Sequence, residues 1–313
     1  MTGNRLFNLD TVMVDVVTMV EHLPVHGGDI RASQHVLATG GGFNVMSAAA
    51  RQEMAATYVG RLGRGAFSQL ARSDLEREHI DLAVAPDESQ DVGFCLVLVD
   101  ATGERTFVTA PGAELTLDAN ALARVEPADG DYVFLSGYCL VHPETGPAIA
   151  AWISRLKPGV VVAFDPAPRV LDIAGDLLSA VLARTDWLLL NTAEAVALSG
   201  EEDTSDVLEV LLTVSARRGV VVHAGERGCV LATREGGVHD VPGFVVDALD
   251  TNGAGDTHDG VFLAELAAGS SPLEAARRAN AASALAVERI GPATCPTREE
   301  ITTFLATRPR QTS

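Results

Sequence analysis

The sequence predicts an α/β fold: a doubly wound, mainly parallel sheet sandwiched by helices and carrying a small β lid. Three observations lead there. Short runs of Val, Leu and Ile recur with helical stretches between them, and most lack the apolar/polar alternation of a half-exposed strand. One hairpin-like segment breaks that rhythm. The chain of 313 residues is 47% apolar and has no Pro/Ser-rich linker, so it can bury one large core. A single domain over residues 1–313 is expected.

In chain order, the strand runs are "TVMVDVVTMV", "TYVGRLG", "DYVFLSG", "GVVVAFDP", "DWLLLN" and "GVVVHAG", each expected to be covered on both faces. Gly93 to Thr109, "GFCLVLVDATGERTFVT", alternates around a glycine-containing turn and reads as a hairpin, an antiparallel piece suited to a lid. Asp256 to Ala268 reads as a helix with Val261, Phe262, Leu263, Leu266 and Ala267 apolar and Gly269 as its stop. "SPLE" from Ser271 has the capping-box pattern with Pro at the first helical position. The helix it opens should stop at Gly291-Pro292, and "TREE" from Thr297 repeats the box.

Charge and composition exclude several classes. A net charge of −19 without a basic stripe argues against a nucleic-acid partner. The sequence opens with neither a signal-like leader nor a membrane-length apolar run, so a protein of the cytoplasm is expected. Cys95, Cys139, Cys229 and Cys295 lack C-x-x-C spacing and read as reduced structural thiols. The single lysine, Lys157, precedes Pro158-Gly159, where a surface turn is expected. Mechanisms built on a lysine in a glycine-rich loop are therefore excluded. Phosphate, if handled, must be held by backbone N–H groups, arginines and a metal.

"DTNGAGDTHDG", Asp250 to Gly260, offers such a place. Gly253, Ala254 and Gly255 form the approach to a helix N-terminus, where free N–H donors and partial positive charge favour an anion. Asp256 beside that cradle can take a proton from an attacking hydroxyl while the cradle holds a transferring phosphoryl group. A glycine turn with a capping acid is the plainer alternative. Asp256, His258 and Asp259 do not read as a metal cluster, because His258 should point about two residues around the helix from Asp256.

"DTNGAGDTHDG" resembles the second signature of the ribokinase-like (PfkB) family of carbohydrate kinases, and Gly40 to Gly63, "GGGFNVMSAAARQEMAATYVGRLG", resembles the first. "VMVDVV" with "EHLPVHGGDI", "FDPAPR", "NTAE", and "ANAASALAV" followed by "GPATCPTREE" extend the likeness nearly end to end. The Gly-Ala-Gly-Asp-Thr-His variant and "SGY" from Ser136 are similar to uncharacterised bacterial sugar kinases of that family. The resemblance implies a ribokinase-like fold whose lid comes from about residues 12–36 and 90–110. It also implies a homodimer through the lid; the "GFCLVLVD" edge, if exposed, would need such a cover.

The same resemblance implies the roles of individual residues. Asp256 is the catalytic base, with the backbone of Gly253, Ala254, Gly255 and Asp256 as anion hole. Asp15, Gly40, Gly41, Gly42 and Asn44 bind the sugar; Thr39 stands where a glycine is usual. Asn191, His223, Gly225, Gly228 and Asn280 line the ATP site. His223 occupies a place where Thr or Ser is common, so a core or interface histidine is an equal reading. Glu194 serves Mg²⁺, chiefly through water, and Asp250 with Asn252 holds a monovalent cation such as K⁺. An acid inside "VMVDVV" needs a partner or a solvent-facing cleft on any reading. The implied activity is transfer of the γ-phosphoryl group of Mg-ATP to a hydroxymethyl group of a pentose or related sugar. Alternatives are a nucleoside kinase and a catalytically silent sugar- or nucleotide-binding regulator.

Overall fold

The computed structural model describes residues 4–214, 217–291 and 293–308. Its larger sheet has nine strands: β1 (Leu6–Asn8), β4 (Ala56–Tyr58), β5 (Asp81–Leu82), β8 (Tyr132–Ser136), β9 (Val161–Asp165), β10 (Trp187–Asn191), β11 (Gly219–His223), β12 (Gly228–Thr233) and β13 (Gly237–Pro242). They run in the order β13-β12-β11-β10-β9-β8-β1-β4-β5. Pairing is parallel from β5 through β11; β12 and β13 close the sheet antiparallel. Successive residues of each inner strand enter different apolar layers. Phe134, Leu189 and Val221 pack on one face, and Val133, Leu135, Leu188, Leu190 and Val220 on the other. This is why the strand runs show no polar alternation.

The smaller sheet has four strands in the order β3-β2-β6-β7: β2 (Val12–Met19), β3 (Gln34–Gly41), β6 (Phe94–Val99) and β7 (Arg105–Ala110). The expected hairpin is β6–β7, antiparallel with Phe94 opposite Ala110. Two expectations change. "TVMVDVVTMV" is not a strand of the parallel sheet: Leu6–Asn8 takes that place, and Val12–Met19 crosses into the smaller sheet with only its first half strongly buried. "GFCLVLVD" is not an edge either, since β6 lies between β2 and β7; the edges are β3 and β7. Exposed Val36 and Leu37 on β3 and Phe107 and Val108 on β7 leave this sheet with apolar surface.

The sheets join where the chain leaves β1 and where β3 runs directly into the Gly42–Arg51 helix. Gly41 takes φ 63° at that junction, and a Cβ there would sit 2.2 Å from the Thr11 carbonyl oxygen. Only glycine fits. The Gly42–Arg51 helix packs on the Ala254–Ala267 helix at Gly260, where a Cβ would lie 2.4 Å from the Val45 carbonyl oxygen. Ser271 accepts from Glu274 N with Pro272 opening its helix, and Thr297 with Glu300 forms a full capping box. The helix opened at Pro272 ends at Val287; Gly291 follows with φ 102°, while Pro292 lies outside the described residues. All four cysteines are buried and unpaired. Among the described residues, no helix is long and apolar enough to cross a membrane.

Candidate active site

In an open α/β sheet, ligands gather beyond the carboxyl ends of the strands, beside the point where strand order reverses. Here the chain steps outward from β1 to β4 and β5, then returns to β8 on the other side. Asp10 follows β1, Ser136 ends β8, Asp165 ends β9, Asn191 ends β10 and His223 ends β11. All lie at this one rim, and the N-terminus of the Ala254–Ala267 helix completes it.

Gly253 caps that helix with φ 72°, and no side chain caps its first turn. A Cβ on Gly255 would meet nothing nearer than His223 Nδ1 at 3.7 Å. Open space beside Gly255 and a first turn with no side-chain cap are what an anion cradle requires. Asp256 sits in this turn with its Oδ2 accepting from Asn44 Nδ2 at 2.9 Å, and Asn44 Oδ1 accepts from Ala293 N at 3.0 Å. Protein surrounds most of Asp256 although an edge reaches solvent. Burial pushes its carboxyl up to about 7, aided by Asp10, Asp259 and Asp15 and opposed by the Asn44 bond.

Asp15 lies on β2 over Gly40, where a Cβ would come within 2.6 Å of its Oδ2. Burial raises it to about 6, and the nearby Arg105 works against the rise. Asp10, which the sequence reading passed over, is buried, bonded to the Ser136 hydroxyl and raised to about 6 by burial. Asp165 is pushed up by burial and by Asp259, Glu194 and Asp256. Tyr138 borders the same group: burial first, then Asp10, Asp165, Glu194 and Asp256, push its hydroxyl up to about 12. The rim is thus strongly acidic, with Asp10, Asp15, Asp165 and Asp256 together.

On the other side of the cradle, Asn191 and Glu194 form a capping box: Asn191 Oδ1 accepts from Glu194 N at 2.9 Å, and Glu194 Oε2 from Asn191 N at 2.8 Å. Glu194 thus caps the start of the Thr192–Ser199 helix, with Oε1 outside the box. Gly225 and Gly228 flank the turn after β11, and a Cβ on Gly225 would meet nothing within 4 Å. His223 turns inward, its Nε2 3.1 Å from Asp259 Oδ1.

Two expected ligand positions are already engaged. Asp250 Oδ1 pairs with Arg105 at 2.6 Å and accepts from Asn252 N at 3.0 Å, while its Oδ2 accepts from Gly291 N at 3.1 Å. Burial pushes this carboxyl up, but these donors outweigh it and hold it below the ordinary range. The Arg105 guanidinium thus stands against the carboxylate expected, with Asn252, to hold K⁺. Asn280 is buried, donating to the Val241 and Pro242 carbonyls and meeting His258 Nε2 at 3.1 Å through its Oδ1. Its amide ties helix to strand and offers nothing to an adenine ring.

Sequence reading missed Asp10, Asp165 and Arg105. Asp10 was hidden because the strand was taken to start at Thr11, which put Asp10 before a strand when it follows one. Arg105 gave no signal, since its partner is 145 residues away.

The pfkB family carbohydrate kinase model matches residues 4–299. The chain is 31% identical to the uncharacterized sugar kinase YegV of Escherichia coli over 96% of this chain and 94% of that one. It is 32% identical to the ATP-dependent ribose-1-phosphate kinase of Halopiger xanaduensis, covering 97% and 99%. Ribokinase from Thermotoga maritima superposes with a TM-score of 0.83 at 27% identity, covering 97% of this chain and 99% of that one. The ribokinase-like fold, the acid beside an anion cradle and these matches agree: the chain belongs to the pfkB family of carbohydrate kinases, phosphotransferases with an alcohol group as acceptor.

Proposed function

We propose that this kinase transfers the γ-phosphoryl group of ATP to a hydroxymethyl group of a pentose or a related neutral sugar, with Asp256 as the base. The observation that carries the reading is the Asp256 carboxyl: held by Asn44, turned to the Gly253–Gly255 cradle and raised to about 7. A base with that pKa accepts a proton from a hydroxyl near neutral pH and releases it readily afterwards. Its proton comes from the acceptor hydroxyl as the oxygen attacks phosphorus, and the first-turn N–H groups hold the oxygens that gather charge. Asp15 and Asn44, with the close backbone at Gly40 to Gly42, bind the sugar hydroxyls. Asn191 and the turn at Gly225 and Gly228 take the nucleotide side, in line with the ATP dependence in the name of the Halopiger relative.

The residues present fit Mg²⁺ as well. Glu194 Oε1 is outside the capping box and suits a metal-bound water. When bound, Mg²⁺ neutralises phosphate charge; the proton transfer belongs to Asp256. A neutral acceptor is favoured because Asp10, Asp15 and Asp165 surround the base, and a phosphorylated sugar would meet like charge. The smaller sheet acts as a lid that shuts water out of the transfer. Its exposed apolar side chains Val36 and Phe107, which share one face through Val17 and Val97, pair two copies of the chain as a homodimer.

The test is ADP release from Mg-ATP across pentoses, hexoses, sugar acids, nucleosides and ribose 1-phosphate, for wild type and Asp256→Asn. Turnover on a neutral sugar that collapses in the variant supports the proposal. A preference for ribose 1-phosphate or a nucleoside overturns the acceptor class. Stimulation by no member of the panel, with ATP still bound, overturns the kinase chemistry.

A further inference from the structure

Behind the cradle lies a second group of residues. His223 ends β11, and His258 and Asp259 are consecutive on the Ala254–Ala267 helix. Asp259 is 0% exposed and His258 4%. One ligand atom from each of the three lies within 4.8 Å of the others, and the two imidazole centroids are 4.5 Å apart. The expectation that His258 turns away from Asp256 is met. It turns toward a histidine 35 positions earlier, which the sequence reading did not connect with it.

Four atoms in this cluster are buried without a well-directed hydrogen bond: His223 Nε2, His258 Nδ1 and both oxygens of Asp259. The 3.1 Å approach of His223 to Asp259 is close in distance but poor in direction. Each such orphan is costly in a closed protein interior. Three side chains that each carry such an orphan, with a ligand atom from each within 4.8 Å of the others, call for a shared partner.

The protonation pattern fits one kind of partner. Asn280 gives its amide hydrogens to the Val241 and Pro242 carbonyls, so its Oδ1 must face His258 Nε2, 3.1 Å away. His258 is therefore protonated on Nε2, and Nδ1 turns a lone pair into the cluster. A histidine whose distal N–H is fixed by a carbonyl oxygen is the usual arrangement around a metal.

We propose that His223 Nε2, His258 Nδ1 and the Asp259 carboxylate bind a divalent transition-metal ion of the Zn²⁺ class. Two imidazoles and one carboxylate suit such an ion, whereas Mg²⁺ prefers oxygen ligands in an octahedron. Three protein ligands leave a position for water. The ion is separate from the Mg²⁺ that accompanies ATP, and its binding needs neither nucleotide nor sugar, so it stands whether or not the acceptor class above is right.

The experiment is a titration of chelator-treated full-length protein with Co²⁺ and then Zn²⁺, without nucleotide and in millimolar Mg²⁺. About one equivalent of Co²⁺ should give visible d–d bands that Zn²⁺ removes and Mg²⁺ does not, and Zn²⁺ should raise the melting temperature. His223→Thr, His258→Phe and Asp259→Asn should each weaken Zn²⁺ binding at least about 100-fold, and Asn280→Ala about 10- to 100-fold. Circular dichroism of the metal-free variants identifies any that fail to fold, and the wild-type Co²⁺ bands remain decisive in that case. Absence of stoichiometric binding to wild type, or unchanged affinity in folded His223→Thr and Asp259→Asn, overturns the proposal.

Discussion

Asp256 is raised by burial from an ordinary carboxyl to about 7, and the fold bears that burden whenever the group ionises. A carboxyl raised in the folded state stabilises most below its unfolded pKa near 4, and that contribution is lost as pH climbs through about 7. At pH 8 the ionised form costs on the order of 2–4 kcal/mol. Asp256→Asn should therefore melt higher than wild type at pH 8, with the gap closing near pH 4, while kcat falls by about 10²- to 10⁴-fold. Paired thermal melts and turnover measurements check both. In wild type, kcat/KM should rise with pH along a limb near 7. Asn44 lowers the Asp256 pKa through its hydrogen bond, so Asn44→Ala should move that limb upward by about one pH unit. A limb that stays in place would show that another group is titrating.

At the scale of elements, Asp256 is placed by how closely two helices approach. Gly260 lets the backbones of the Gly42–Arg51 and Ala254–Ala267 helices approach closely, with Asn44 and Asp256 on the shared seam. Gly260→Ala should force them apart and lower both stability and kcat, read by denaturant melts and steady-state kinetics. β7 makes a second link, because Arg105 occupies Asp250 just ahead of the cradle. Activity should change little when K⁺ replaces Na⁺, and Arg105→Ala should create a dependence on the larger ion; assays in the two chloride salts decide. Sequence made much of this legible where the cause is local. The runs at Val161–Asp165 and Trp187–Asn191, the cap at Thr297 and the glycine approach to Asp256 are set by neighbouring residues. What escaped is non-local or faint. Leu6–Asn8 is too short to signal, Val12–Met19 is apolar in either sheet, and the partners of Asp250, His223 and Asn280 are fixed only when distant segments meet.

For the molecule as a whole, two bodies of unequal protection share one chain: a nine-stranded sheet with an apolar layer on each face, and a four-stranded sheet with exposed Val36, Leu37, Phe107 and Val108. Changing Val36 and Phe107 to Glu together should convert a dimer to a monomer, with light scattering as the readout; an unchanged mass would place the contact elsewhere. The four buried thiols divide between the same two bodies. Cys95 belongs to β6, 8% exposed, while Cys139, Cys229 and Cys295 sit in the deep layers, where burial pushes all three well up from the ordinary thiol range. Thiolates alone react with disulfide reagents, so none should react until its surroundings part. The thiols thus form a built-in clock in which each residue times the opening of its own region. Cys95 should label first, at a rate that reports fluctuation of the small sheet, and the other three should follow together at the rate of global unfolding. Mass spectrometry of pulse-labelled protein would separate the two, giving the breathing of the sheet above the cradle a rate without any engineered residue.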